Sequence, residues 1–339
     1  MQKTCTMKKQ LFIPFIILLS FPFLKTNAQH YKKSEPFAHT FSIVAIDKDA
    51  GEMAVGVQSH WFSVGSIVSW GKSGVGVVAT QSFVNPAYGP EGLELMEKGK
   101  TAMEALDLLT AKDEGKEYRQ IAFLDVNGNI ATFTGDKCVE SAGHVNRNNF
   151  SVQANMMLND EVVPAMAQAF ETNKKLPLAE RVVQTLQAAQ AAGGDIRGKQ
   201  SAVLLVFNTD KVEHEWMDKK INLRVDDHEN PLIELERLLK VHRAYEHMNN
   251  GDLAVEHGDM AKALKEYSAA EKMFPENLEM KYWKAIALAN NNRMDEALPI
   301  FKEIFSKDPN WKEMTTRLPA SGLLEVSDKN MKKILNINK

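Results

Sequence analysis

The sequence predicts a layered α+β domain followed by a domain of α-helical repeats. Strand-like and helix-like segments alternate from residue 40 to about residue 225, and short turns typical of β-hairpins join two of the strand pairs. From about residue 230 onward the pattern is helical and repeats with a period of 34 residues. Because hairpins pair antiparallel strands, we expect antiparallel sheets in the first domain rather than a doubly wound parallel sheet.

The N-terminal segment has the composition of a secretory signal peptide. Lysines precede a 14-residue apolar run from Leu11 to Leu24, and Thr26-Asn27-Ala28 offers small residues for cleavage. The run is shorter than the ~20 residues that a membrane span needs, which favours cleavage after Ala28 over an uncleaved anchor. The sequence therefore predicts a signal peptide over residues 1–28, an exported periplasmic or extracellular protein, and no stable membrane span after cleavage.

Charge and cysteine content narrow the partners and the chemistry. The chain has 339 residues and a formal net charge of -3, and loss of the four lysines of the signal peptide brings this to -7. A negative net charge provides no positively charged surface for the phosphates of a nucleic acid, so we expect no nucleic-acid partner.

The cysteine content excludes an internal disulfide. Cys5 is removed with the signal peptide, and Cys138 is the cysteine that remains in the sequence. A buried structural thiol is favoured over a catalytic one at Cys138.

The elements of the first domain follow one another with recognisable boundary signals. Thr101, three residues before Glu104, is typical of a helix N-cap, and Gly193-Gly194 is typical of a helix end. After a linker over residues 29–39, strands are predicted over residues 40–47, 52–58, 74–80, 118–126, 130–134 and 201–207, and helices over 90–98, 101–112, 159–172 and 178–192.

The second domain, over residues 230–339, resembles the tetratricopeptide repeat. Small, aromatic and proline positions recur 34 residues apart, matching Gly251, Ala263, Tyr267 and Pro275 with Ala285, Ala297, Phe301 and Pro309. Small residues allow two helices to cross closely, aromatic residues fill the space beside them, and proline ends a helix. Such repeats could recruit a protein partner, mediate self-association, or simply pack against the first domain.

Six ordered segments of the first domain resemble the domain of unknown function 1028 (DUF1028) family. They span about residues 39–210 and are Thr40–Ala45, Gly74–Gln81, Asn85–Gly89, Gly143–Val145, Ser151–Met156 and Gly193–Ala202. That family is regarded as similar to the N-terminal nucleophile (Ntn) hydrolases, and its activity is unassigned. The resemblance implies a four-layer α-β-β-α Ntn-hydrolase-like sandwich over residues 40–225.

The same resemblance makes Thr40 the candidate catalytic nucleophile. Cytosolic relatives begin Met-Thr-Phe-Ser, so removal of the methionine leaves a threonine whose free α-amine can serve as its base. Lys72 follows Thr40 at the spacing found in proteasome-type Ntn enzymes, and is expected to act as an electrostatic helper. Cleavage after Ala28 leaves residues 29–39 ahead of Thr40. A second cleavage is then required, unless the site is inactive, another group acts, or Thr40 merely opens a strand.

Three pairs of polar residues are candidates for substrate binding: Asn85 and Tyr88 in a turn-rich loop, Gln153 and Asn155 on one face of a strand, and Asp195 and Arg197 at a helix end. Each pair also has a structural interpretation, respectively turn formation, hydrogen bonding to the backbone, and an internal ion pair. The histidines do not form a ligand set and no phosphate-binding loop is present, so we expect no metal and no cofactor.

Two functions are compatible with these patterns. One is an exported amide-bond hydrolase that acts on an amide or a peptide. The alternative is a non-catalytic binding or scaffold protein, which keeps the fold and recruits partners through its helical repeats.

Overall fold

The computed structural model of the chain describes residues 37–337. The predicted signal peptide and residues 29–36 of the predicted linker lie outside the described residues. The strands are β1 (Phe37–Ala38), β2 (Thr40–Asp47), β3 (Glu52–Ser59), β4 (Ser69–Lys72), β5 (Gly76–Phe83), β6 (Arg119–Asp125), β7 (Ile130–Thr134), β8 (Gly143–Asn146), β9 (Phe150–Ala154), β10 (Ser201–Asn208) and β11 (Lys219–Val225). The helices are α1 (Tyr88–Glu97), α2 (Ala102–Thr110), α3 (Val162–Thr172), α4 (Leu178–Ala191), α5 (Pro231–Glu256), α6 (Met260–Met273), α7 (Leu278–Asn290), α8 (Met294–Lys307), α9 (Asn310–Arg317) and α10 (Asp328–Leu335).

The strands form two antiparallel sheets. The first sheet has the order β1-β5-β6-β7, with β4 also paired to β5, and the second has the order β11-β10-β3-β2-β9-β8. Each predicted strand and helix of this domain is present, with ends that differ by a few residues. Strands β1, β4, β8 and β11 were not among the predicted elements, because they are short or carry charged residues; β1 lies within the predicted linker.

Apolar side chains fill three separate spaces around these sheets. One cluster lies between the sheets and includes Val44 and Leu124. A second packs α3 and α4 on the outer face of the second sheet, and includes Phe41 and Phe170. A third packs α1 and α2 on the outer face of the first sheet. Because side chains alternate along a strand, every second residue of β2, β3, β5 and β6 faces the space between the sheets.

The hairpin of β2 and β3 positions the start of both strands. Asp47 pairs with Glu52 across a turn in which Gly51 has a positive φ, and this register places Thr40 opposite Ser59.

The predicted N-cap of helix α2 at Thr101 is confirmed. The Thr101 side chain accepts a hydrogen bond from the Glu104 amide, and the Glu104 carboxylate accepts one from the Thr101 amide.

The remaining helices form the repeat region. Helix α5 begins with Pro231, and its first turns place Leu235 and Leu239 in the apolar cluster of the second sheet. The close helix crossing expected at Gly251 is present, since a Cβ atom there would lie 2.5 Å from the Tyr267 ring. None of the helices in the described part of the chain is both long and apolar enough to cross a membrane.

Candidate active site

Thr40 lies at one end of the space between the sheets, where the chain crosses from one sheet to the other. Ala38 is paired with Ser82 of β5 in the first sheet, whereas Thr40 begins β2 in the second. Thr40 is fully buried, and its Oγ1 donates a hydrogen bond to the Ala38 carbonyl oxygen at 2.9 Å. His39 therefore spans the gap between the two sheets.

The carbonyl oxygen of His39 is held by two side-chain donors. The Ser59 hydroxyl donates to it at 2.5 Å, and Nη2 of Arg197 donates to it at 2.8 Å. Ser59 is in position because of the β2–β3 register. Two donors on one carbonyl oxygen, one of them charged, draw electron density from the His39–Thr40 peptide bond.

Arg197 is oriented by a buried carboxylate. Its Nη2 lies 2.7 Å from Oδ2 of Asp195 and its Nε lies 3.0 Å from Oδ1, in a bidentate pair. The Asp195 side chain is fully buried, and it also accepts from the backbone amides of His60 and Arg197. Arg197 thus forms the predicted ion pair with Asp195 and also contacts the carbonyl oxygen of His39.

A network of buried amides from both sheets surrounds Thr40. The Thr40 carbonyl oxygen accepts from Gln81 Nε2 at 3.0 Å and from the Asn155 backbone amide at 3.2 Å. Gln120 Oε1 accepts from both Gln81 and Asn155, at 2.7 and 2.9 Å. Asn155 in turn accepts from the His39 imidazole, Nδ1 to Oδ1, at 2.6 Å. The chain on both sides of the His39–Thr40 bond is therefore fixed by side chains from distant strands.

His39 is a neutral side chain in this environment. Its imidazole is buried and meets the Phe83 ring edge-on, with centroids 6.0 Å apart. Burial is the main cause that lowers its pKa from 6.5 to about 4; the hydrogen bond to Asn155 opposes this shift, and the nearby Arg197 charge adds to it.

The structure does not bring Lys72 to Thr40. Lys72 pairs with Gly76 at the start of β5, whereas Ala38 pairs with Ser82 near its other end, which separates the two sites by about 20 Å. Nζ of Lys72 lies 2.7 Å from the Glu97 carboxylate in an exposed ion pair. The predicted proximity of Lys72 and Thr40 is therefore not found, and the cation beside Thr40 is Arg197.

Asn85 and Tyr88 have contacts that explain them without a ligand. Asn85 Oδ1 accepts from the Ala87 amide at 3.1 Å, which fixes the turn before α1. Tyr88 is buried in the cluster on the outer face of the first sheet and donates to Asp113 at 3.1 Å. Turn formation therefore accounts for Asn85, and packing with a hydrogen bond to Asp113 accounts for Tyr88.

Gln153 and Asn155 do face the same side of the second sheet, toward the first. Gln153 Nε2 donates to the Ser42 hydroxyl at 3.2 Å, deeper between the sheets than Thr40. Neither amide is a donor to the His39 carbonyl oxygen, the place where Ser59 and Arg197 are found. Asn155 positions His39 and Thr40 through hydrogen bonds, and Gln153 is hydrogen-bonded to Ser42 deeper between the sheets.

Four site residues were not predicted: His39, Ser59, Gln81 and Gln120. A signal for Ser59 was present, because the predicted hairpin with Asp47 opposite Glu52 already pairs Thr40 with Ser59. Gln81 and Gln120 are polar residues at the end of apolar strands, and only the packing of the two sheets shows that they meet.

Cys138 has the properties of a structural thiol. It is partly buried, its Sγ donates to the Arg119 carbonyl oxygen at 3.3 Å, and burial raises its pKa. Within residues 37–337, no group of three or more His, Cys, Asp or Glu residues is placed to hold a metal ion.

The fold and the site define an α+β protein with a polar site between two antiparallel sheets, followed by helical repeats. The family model described as "Family of unknown function (DUF1028)" matches residues 40–235, and a tetratricopeptide repeat model matches residues 248–310. The chain therefore belongs to the DUF1028 family and carries a C-terminal tetratricopeptide repeat region, as the sequence segments indicated.

A solved structure supports the same assignment. The crystal structure of a Silicibacter pomeroyi protein described as DUF1028 is 31% identical to this chain, with a TM-score of 0.54. The match covers 60% of this chain and 88% of that one. No curated protein matches the chain.

Proposed function

We propose that the protein is an amide-bond hydrolase of the Ntn type in which Thr40 is the nucleophile. The observation that carries this proposal is the pair of donors, Ser59 and Arg197, on the carbonyl oxygen of the residue joined to Thr40. Donors fixed at a carbonyl oxygen stabilise the negative charge that develops there when a hydroxyl attacks the carbonyl carbon. An acyl group placed where His39 now lies would meet the same two donors.

The layering of the domain supports the Ntn resemblance. Four layers follow one another in this domain: helices α1 and α2, the first sheet, the second sheet, and helices α3 and α4. This is the order of a four-layer α-β-β-α sandwich. The match to the family model also begins at Thr40. The part of the chain shared with the family thus begins with the residue that Ntn chemistry requires first.

Catalysis requires that the His39–Thr40 bond be broken, because a threonine within a chain has no free amine. The geometry favours cleavage by the chain itself. The Thr40 oxygen attacks the His39 carbonyl carbon, the bond from that carbon to the Thr40 nitrogen breaks, and the proton of the hydroxyl ends on that nitrogen, so that an ester joins His39 to Thr40. Water then hydrolyses the ester, leaving a carboxylate on His39 and a free amine on Thr40.

The freed amine would lie next to Arg197. A neighbouring cation favours the neutral form of an amine, and the neutral amine is the form that takes a proton from the threonine hydroxyl. Arg197 thus fills the role expected of Lys72, although its pairing with Asp195 reduces the charge that the amine would experience.

We further propose that the hydrolase acts outside the cytoplasm. This rests on the sequence of residues 1–28, with three lysines before an apolar run and small residues at its end. Peptides and other amides are accessible there. Cell fractionation with an antibody to the chain tests this proposal, and recovery with the cytoplasmic fraction would contradict it.

One observation favours the non-catalytic alternative. Thr40 is fully buried while residues 37–39 are attached, so an unprocessed chain would present no accessible nucleophile. In that case the tetratricopeptide repeat region, a module that commonly mediates protein interactions, would supply the function through a protein partner or self-association.

Substitution of Thr40 separates the two functions. We expect Thr40→Ala to abolish hydrolysis across a panel of peptidyl and acyl anilides, and Thr40→Ser to retain a measurable rate, since serine keeps both hydroxyl and amine. Thr110→Ala, on helix α2, is the matched control and should leave the rate unchanged. A Thr40→Ala chain that supports cell function as well as the wild type would favour the scaffold instead.

A further inference from the structure

Residues 37–39 lie across the site as an extended peptide that is added to the first sheet. Phe37 pairs with Phe83 and Ala38 pairs with Ser82, in antiparallel register. Strand β4 covers the same edge of β5 only further along, from Ala79 to Gly76. The three residues before Thr40 therefore occupy a stretch of sheet edge that another extended peptide could use once they leave.

The position of Ala38 has room for a small side chain. Ala38 is fully buried and belongs to the apolar cluster between the sheets, which also contains Val57 and Val84. A longer side chain at this point would have to displace buried neighbours in a closely packed layer. Binding here thus selects for alanine, glycine or serine.

The position of His39 fits a planar side chain that donates a hydrogen bond. The ring lies edge-on to Phe83, and its Nδ1 donates to Asn155 Oδ1. Asn155 is held in that orientation, because its amide nitrogen donates to Gln120. The acceptor is therefore a fixed property of the site and does not depend on His39.

We propose that residues 37–39 mark the acyl side of the substrate site, and that the substrate is an extended peptide with a small residue and then histidine before the cleaved bond. The cleavage step rests on the proposed function, whereas the binding does not. Such a peptide would pair with Ser82 and Phe83, place its small side chain between the sheets, and present its last carbonyl to Ser59 and Arg197.

Binding of a free peptide to a full-length chain with an opened site tests this proposal. Ala38→Arg places a long charged side chain at a fully buried position and should expel the segment, and Thr40→Ala in the same chain prevents any cleavage. The probe is the acetylated peptide Ser-Glu-Pro-Phe-Ala-His, which has the sequence of residues 34–39 and ends in a free carboxylate. Titration calorimetry measures its Kd for the opened chain and for the Thr40→Ala parent.

We expect the peptide to bind the opened chain at least tenfold more tightly than the parent, whose site is occupied. Peptides in which alanine is replaced by leucine, or histidine by alanine, should each bind at least tenfold more weakly. Circular dichroism verifies the fold. If Ala38→Arg unfolds the domain, His39→Gly removes the hydrogen bond from the imidazole to Asn155 without adding bulk, and the same ranking of peptides is expected.

Equal binding of the three peptides, or no gain on opening the site, would overturn the proposal. That result would leave the hydrolase intact if the wild-type chain still cleaved other amides in a Thr40-dependent manner. Conversely, selective binding of the peptide without hydrolysis by any chain would retain the binding site and remove the proposed activity.

Discussion

The two ends of the space between the sheets contain opposite kinds of side chain on the same strands. Inward-facing residues of β2, β5 and β6 are apolar at one end, where Ile46, Val77 and Leu124 are fully buried. Toward the other end the same faces carry Ser42, Gln81 and Gln120, which are equally buried. A layered domain held together only by apolar burial would not place amides there, because each buried polar group requires a partner.

We expect the apolar end to contribute mainly packing stability and the polar end to carry the proposed chemistry. At the polar end, the side-chain amides of Gln81, Gln120 and Asn155 fix the chain around Thr40, and Arg197 donates to the carbonyl oxygen of the preceding residue. At the apolar end, Lys72 is an exposed residue paired with Glu97. Substitutions at the two ends should therefore affect different measurements.

Phe207→Ala, at the apolar end, should reduce the free energy of unfolding by about 3–5 kcal/mol. Phe207 is fully buried and lies so close to Gly71 that a Cβ atom there would be 2.3 Å from the Phe207 ring. Urea unfolding measures the loss, while hydrolysis per folded molecule should stay at the wild-type level. A fall in the rate of hydrolysis without a loss of stability would contradict the separation of packing from the proposed chemistry at the two ends.

Arg197→Ala, at the polar end, should lower kcat/KM by about 100-fold, or roughly 3 kcal/mol in the activation barrier. The physical reason is the loss of one of the two donors on the carbonyl oxygen. Lys72→Ala is the matched removal of a cation at the other end, and we expect it to leave kcat/KM unchanged. A similar loss of kcat/KM in the two variants would indicate that Lys72 also supports catalysis, as the sequence predicted.

Acid should destabilise the unprocessed chain through His39. In the unfolded chain this imidazole takes up a proton below pH 6.5, but in the folded protein only below about pH 4. Between these values the unfolded state binds more protons, so stability falls as the pH falls, by roughly 3 kcal/mol in all. The comparison is between Thr40→Ala chains with and without His39→Gln. An equally steep pH dependence in both would show that other groups cause it.

Gln120→Leu should cost the smallest amount, about 1–2 kcal/mol, because it leaves Gln81 and Asn155 without their shared acceptor. The matched change at the apolar end is Ala122→Gly, on the same face of the same strand. Thermal unfolding compares the two variants. Only Gln120→Leu should also slow hydrolysis, since it loosens the network around Thr40.

Local signals in the sequence predicted much of the fold. The N-cap at Thr101 and the turn between β6 and β7 depend on neighbouring residues, and both are present in the structure. The period of 34 residues predicted small residues at a close helix crossing, and Gly251 lies against the Tyr267 ring at such a crossing. By contrast, β11 carries Lys219, Lys220 and Arg224 and lies at the edge of the second sheet beside β10, so its own composition gives little strand signal.

The candidate site was less predictable because it is assembled from distant segments. Arg197 and His39 are 158 positions apart, and their contact depends on how the loop after α4 meets the start of β2. The spacing of Thr40 and Lys72 along the chain did not reveal that they lie toward opposite ends of β5. Chain spacing indicates a shared site only when the register of the intervening strands is also known.

The N-terminus of the native protein tests the central claim most directly. Intact mass and terminal sequencing of the protein from its own cells identify the first residue. The account predicts Thr40, with a chain that stays uncut after His39 in the Thr40→Ala variant. A functional protein that begins at Gln29 would contradict it, since Thr40 would then have no free amine.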